Sequence, residues 1–126
     1  MTLSRGARRK LEGVGLTIVG LLTVALVVAS LHFEREVGRQ KTMFYQLQLM
    51  RTSVQLYKAV RHVNPPTLKT LVTEEYRFPA EPIPRRFLEY PPFDDAGQLS
   101  DPFGSPYRYD VTRGWVTSTT SGYERW

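Results

Sequence analysis

Cysteine is absent from the 126 residues, so neither a disulfide framework nor a thiolate metal centre is open to this chain. That absence fits an exported protein that manages without disulfides. Histidine is scarce. His32 and His62 stand alone, and neither has Cys, Asp or Glu at ligand spacing, so no metal or general-base role is expected of them. Ser118 and Ser121 have no histidine near them in sequence and no elbow motif, which leaves no candidate nucleophile. The chain is not expected to be an enzyme. There is no internal repeat and no low-complexity tract, and the length allows one small domain beside any membrane segment.

Acidic residues are outnumbered, 12 against 17 basic, for a net charge of +5. The imbalance is local. Arg5, Arg8, Arg9 and Lys10 against Glu12 give +3 (4 − 1) before residue 13, while 13 basic and 11 acidic residues from Phe33 onward give only +2. The excess therefore flanks an apolar run instead of forming a basic face, and nucleic acid is not an expected partner.

Charge is missing altogether from "GVGLTIVGLLTVALVVAS", residues 13–30. Extended to Phe33, with His32 the one polar interruption near its end, the run spans roughly 30 Å as a helix, the thickness of a bilayer core. Basic residues on its N-terminal side place that end in the cytoplasm and the rest of the chain outside, with membrane lipid as a partner. A removable signal peptide is the alternative: Arg8-Arg9-Lys10 supplies an n-region and Val28-Ala29-Ser30 a small-residue cleavage site before Leu31. Against removal, the run is long for a signal peptide, and the residues after Phe33 continue as helix.

Proline does not occur before residue 65. Met43, Leu47, Met50, Val54, Tyr57 and Val60 recur at steps of three and four, one apolar stripe on a helix, with Gln48, Arg51, Gln55, Lys58 and Arg61 mostly on the other side. Unbroken from Leu16 to His62, that helix is about 70 Å long. Asn64-Pro65-Pro66 stops it. Thr67 then caps a short helix, "TLKTLVTEEY", that buries Leu68, Leu71 and Val72. Five prolines make residues 78–93 an extended irregular loop. Tyr107 to Tyr109 and Trp115 to Thr117 alternate as two strands around Thr112-Arg113-Gly114, with a further short strand around residues 98–100. Phe44, Tyr45, Tyr57, Tyr107, Tyr109 and Trp115 are expected in a helix-on-sheet core. Asp94, Asp95 and Asp101 are expected as solvated turn residues, and Gly104 and Gly114 as turn glycines. The fold class is α+β: a long N-terminal helix, transmembrane in its first half, packed on a small C-terminal antiparallel sheet. The expected divisions are a basic leader (1–15), a transmembrane segment (16–33), the soluble half of the helix (34–63), and a short helix, proline-rich loop and sheet (64–126).

This order of parts resembles the type IV pilin-like proteins, and most closely the major pseudopilins of type II secretion. Gly15-Leu16-Thr17-Ile18-Val19-Gly20-Leu21-Leu22 behind a basic leader looks like the prepilin cleavage motif. "QLYKAVRHVNPPTLKTLV" is similar to the end of the family helix and its Leu-x-x-Leu turn. "DPFGSPYRYD" resembles the family hairpin motif through Asp101, Pro102, Gly104, Pro106 and Tyr107. The resemblance implies insertion in the bacterial inner membrane, cleavage after Gly15 by a prepilin peptidase, and N-methylation of the new first residue, Leu16. It implies further that an inner-membrane platform and ATPase assemble the subunit with other pilin-like subunits into a filament. Leu16, Gly20, Leu21 and Gly38 are the implied packing positions, Gly38 as the helix-loosening residue the family often carries beyond the membrane, or else an ordinary exposed glycine. Arg85-Arg86 is either a solvated turn or a subunit contact.

Two departures qualify the resemblance. Gly20 stands where the family has a glutamate that pairs with a neighbour's terminal amine, which points to a minor or tip subunit. After Asp110 the sole acid is Glu124, so the family's Ca²⁺ loop is not matched; Asp94, Asp95 and Asp101 are the alternative oxygen donors for Ca²⁺, but their spacing matches no known loop and no cofactor is expected. The alternative reading is a single-pass or exported periplasmic binding protein with no filament role.

Overall fold

Without a proline to interrupt it, the chain forms a single helix, α1, over Arg5–Arg61. The computed structural model describes residues 5–126. The first four residues of the expected leader therefore lie outside the described residues, and the remainder of it is helical, so α1 begins earlier than the expected Leu16. After α1 come α2 (Thr70–Thr73), β1 (Glu75–Tyr76), β2 (Arg85–Arg86), β3 (Tyr107–Asp110) and β4 (Trp115–Ser118). The strands form two antiparallel pairs, β1–β2 and β3–β4. The result is a long apolar N-terminal helix and a small C-terminal antiparallel region, an α+β architecture.

Two compact units divide the chain, Met1–Gly38 and Arg39–Trp126. In the first, no described side chain is buried. α1 passes through Gly38 without a break.

The core belongs to the second unit. Met43, Leu47, Met50, Val54 and Tyr57 of α1 are buried with Leu68, Leu71, Val72, Phe87, Leu88, Tyr107 and Val116. Each large apolar side chain removed from water contributes about 1.5–3 kcal/mol. The stripe stops at Tyr57: Val60 is 39 % exposed, because α1 ends one residue later at Arg61. His62 closes the helix in the left-handed region, with φ 63° and its N–H donating to the Lys58 carbonyl at 2.8 Å.

Three expectations are corrected beyond the helix. The short helix shrinks to the four residues of α2, entered through i→i+3 bonds such as Leu71 N–H to the Leu68 carbonyl at 3.2 Å. Thr67 Oγ1 accepts from the Thr70 N–H at 3.3 Å as the first of these turns closes. Glu75 and Tyr76 leave the helix because pairing with Arg86 and Arg85 gives them better partners. The Tyr76 ring lies 4.8 Å from Phe87 and 5.1 Å from Phe78, and Glu75 meets Arg86 at 4.0 Å. Arg85-Arg86 is thus a strand inside a stretch expected to be irregular, and both residues stay exposed. The expected strand at 98–100 is reduced to isolated bridges, Phe93 with Leu99 and Ser100 with Pro106.

The hairpin of β3 and β4 pairs Tyr107 with Ser118 and Tyr109 with Val116. Strand alternation turns Val116 and Ser118 inward and Trp115 outward. Trp115 is 46 % exposed, and Phe44 (54 %) and Tyr45 (67 %) also fall outside the core. Both helical residues follow Met43 directly and so lie off its stripe.

Candidate functional site

Two features stand out from the bare scaffold: an apolar helical segment that no described residue covers, and a hairpin held by one carboxylate.

The apolar segment lies in the first unit. Leu16 is 75 % exposed, and Ile18, Val19, Leu21, Leu22, Val24, Leu26, Val27, Val28 and Leu31 are all exposed with it. Within α1 an 18-residue window is apolar and long enough to cross a membrane. The two threonine hydroxyls inside it are satisfied locally: Thr17 Oγ1 donates to the Gly13 carbonyl and Thr23 Oγ1 to the Val19 carbonyl, each at 2.9 Å. Hydroxyls bonded back to the helix can enter hydrocarbon without an unpaired donor. At 100° per residue Gly13, Thr17 and Gly20 fall within about 60° of arc, so the slimmest side of the segment runs through Gly20, with Leu16 and Leu21 flanking it. Nothing lies within 4 Å of where a side chain on Gly15, Gly20 or Gly38 would begin. Among the described residues no contact therefore requires glycine at these three positions.

The hairpin motif converges on Asp101, which is 5 % exposed. Asp101-Pro102-Phe103-Gly104 is a turn closed by the Gly104 N–H donating to the Asp101 carbonyl at 2.9 Å. Pro102 presets the second position, and Gly104 takes φ 86°. Asp101 Oδ1 accepts from the Phe103 and Ser105 N–H groups at 3.0 and 2.9 Å. Oδ2 accepts from Ser118 Oγ at 2.7 Å and Thr120 Oγ1 at 2.6 Å. Asp101 is thus not a solvated turn residue: its carboxylate ties the turn to the end of β4. Asp94 builds a second turn, Oδ1 accepting from the Ala96 and Gln98 N–H groups and Oδ2 from Ser100 Oγ. Those bonds, the Gln98 amide first, hold its carboxyl below the usual aspartate range. Both carboxylates use their lone pairs on the chain's own donors. Among the described residues no group of three His, Cys, Asp or Glu side chains is placed to hold a metal ion.

Helix and hairpin are joined by polar contacts that no periodicity would reveal. Tyr107 Oη donates to Gln46 Oε1 at 2.6 Å, and burial, followed by the Asp101 charge, pushes its phenol well above the ordinary range, so it remains a donor. Arg51 Nε and Nη2 donate to the Val116 carbonyl at 3.0 and 2.9 Å, while the guanidinium lies 4.0 Å from the Trp115 ring centre. The exposed Trp115 thus serves as a cover for Arg51. Asn64 Nδ2 donates to the Val111 and Thr112 carbonyls at 2.8 and 3.3 Å, so the residue that precedes the helix-stopping prolines also grips the hairpin turn. Gly114, at φ 64°, leaves room for it: a side chain there would begin 2.7 Å from Asn64 Oδ1. Near the C-terminal residues, Gln40 Nε2 donates to Tyr123 Oη at 2.7 Å. Tyr123 stacks on Phe103 at 5.3 Å.

The hairpin motif is therefore drawn together around Asp101, Gly104 and Tyr107, whereas Gly15, Leu16, Gly20 and Leu21 lie along one uncovered helical segment. Arg51, Asn64, Ser118 and Thr120 are structural contributors that no local sequence pattern marks for these contacts. No family model, curated protein or solved structure matches this chain.

Proposed function

We propose that this chain is a structural subunit of a pilin-like filament of the type II secretion kind, held in the bacterial inner membrane before assembly. In this reading a prepilin peptidase cuts after Gly15, and Leu16 becomes the N-methylated first residue. Other pilin-like subunits then cover the apolar segment, driven by an inner-membrane platform and ATPase. The observation that carries the reading is the double use of α1. One stretch of it exposes apolar side chains that no described residue covers, while a later stretch, from Met43 to Tyr57, is the spine of a small domain closed by the Asp101 hairpin. A subunit whose helices pack against copies of themselves uses that combination.

Gly20 refines the proposal to a minor or tip subunit. A buried terminal amine requires a carboxylate partner in an apolar bundle, and glycine supplies none. Small residues in membranes do let helices approach closely, which Thr17 and Gly20, both retained after the cut, together favour.

Mass spectrometry of the mature N-terminus, after expression with a prepilin peptidase, tests this directly. An N-methylated Leu16 is expected. A start at Leu31 overturns the proposal, because the packing segment would be gone, and so does a chain left uncut. Gly20→Glu is expected to increase co-purification with filaments. Unchanged co-purification removes the tip assignment.

A further inference from the structure

We infer that the Arg5–Arg8–Arg9 face of α1 is a binding site for the phosphate of an anionic phospholipid headgroup. At 100° per residue Arg5, Arg8, Arg9 and Glu12 fall within about 100° of arc, whereas Lys10 points roughly the opposite way. These four side chains and Gly6 line an open hollow of about 350 Å³. Among the described residues no ion pair joins any of the three arginines to an acid. At Gly6 the wall is open, with nothing within 4 Å of where a side chain would start.

The chemistry of the hollow selects the ligand. Guanidinium groups present paired N–H donors that match phosphate oxygens two at a time. Three of them converging around one acid leave a net charge of +2, suited to a phosphodiester carrying a single negative charge. The lipid source follows from position. The uncharged run begins at Gly13, immediately after Glu12, on the same helix and within the same compact unit. A helix whose next residues enter hydrocarbon holds this face at the level of the headgroups. Glu12 limits the grip and sets its preference: it repels a second anion and tolerates one.

This inference needs the membrane span but not the filament reading, so the N-terminal mass spectrum leaves it standing or falling on its own. If the chain is cut after Gly15, the site exists only on the uncut form, and cleavage releases the headgroup together with the leader.

Native mass spectrometry of the uncut full chain, released from bilayers of phosphatidylcholine mixed with phosphatidylglycerol, is the test. The chain is expected to retain phosphatidylglycerol over phosphatidylcholine. Each of Arg5→Gln, Arg8→Gln and Arg9→Gln should lower that retention about fivefold, in line with the energy of one basic residue at an anionic surface. Lys10→Gln should change it less than twofold, and Glu12→Gln should raise it. Equal losses from Lys10→Gln and Arg8→Gln overturn the site in favour of undirected charge. Displacement of the lipid by millimolar inorganic phosphate overturns the lipid assignment. Unchanged helical circular dichroism in each variant separates loss of binding from loss of fold.

Discussion

Replacing Asp101 by alanine should unfold the hairpin end of the domain more readily than any other single change on its surface-facing turns. The carboxylate accepts two backbone N–H groups and two hydroxyls, at distances from 2.6 to 3.0 Å. Hydrogen bonds to a charged acceptor are each worth about 1.5–3 kcal/mol, but burying the carboxylate cancels part of that sum. Alanine leaves the O–H of Ser118, 2 % exposed, without its acceptor, although Ser118 Oγ still accepts from the Thr120 N–H at 3.0 Å. The net loss works out at about 3–5 kcal/mol. The Arg39–Trp126 unit has 88 residues (126 − 38), for which total stability is ordinarily about 4–13 kcal/mol. Asp101→Asn is the discriminating companion: its carbonyl still accepts both amides, and the two hydroxyls can turn to accept from its NH₂, so about 1–2 kcal/mol is expected. Urea unfolding of the full chain in detergent, followed by tryptophan fluorescence, measures both. Equal losses from the two variants, or less than about 1 kcal/mol from alanine, would refute the account of Asp101 as the hairpin's anchor.

Gly114→Ala combines an unfavourable positive φ with a side chain begun 2.7 Å from Asn64 Oδ1; thermal unfolding should show about 2–3 kcal/mol lost. Gly97→Ala, at φ 75° but in open space, should cost only about 1 kcal/mol, and equal costs would remove Asn64 from the explanation. Arg51→Lys keeps the charge but loses the two-pronged bond to Val116 and the cover of Trp115, so a red-shifted emission and about 1–2 kcal/mol of destabilisation are expected. Asp94 contributes stability that is complete above the ordinary aspartate value of 3.8 and lost as pH falls through its lower folded value. The Ala96 and Gln98 amide resonances should accordingly titrate with a midpoint below 3.8, and a midpoint at or above it would count against the turn described.

The legible part of the fold was periodic. The steps of three and four from Met43 to Tyr57 gave the buried face of α1, and alternation gave the strand pair around Gly114, because both patterns repeat a local geometry. Trp115 lies outside the core for a reason the same rule contains: Val116 points in, so its neighbour points out. The Asp101 contacts divide along the same line. The amides of Phe103 and Ser105 lie two and four residues away and follow from the turn, whereas the hydroxyls lie 17 and 19 residues away and depend on tertiary register. The β1–β2 pair had no signal at all, since two-residue strands are too short to show a period.

The contacts that close the Arg39–Trp126 unit have a consequence for synthesis. Gln46 waits for Tyr107, Arg51 for Val116 and Gln40 for Tyr123, at separations of 61, 65 and 83 residues. The stripe that begins at Met43 is thus made long before Val116, its last buried partner. At about 5–20 residues per second, the 73 residues between them (116 − 43) take about 4–15 s to emerge. Through that interval an amphipathic helix trails an apolar run with its own oily face uncovered. The nascent chain is therefore a client for whatever shields such faces, and a substitution late in the hairpin would reduce the yield of protein before it altered the melting of the molecules that survive.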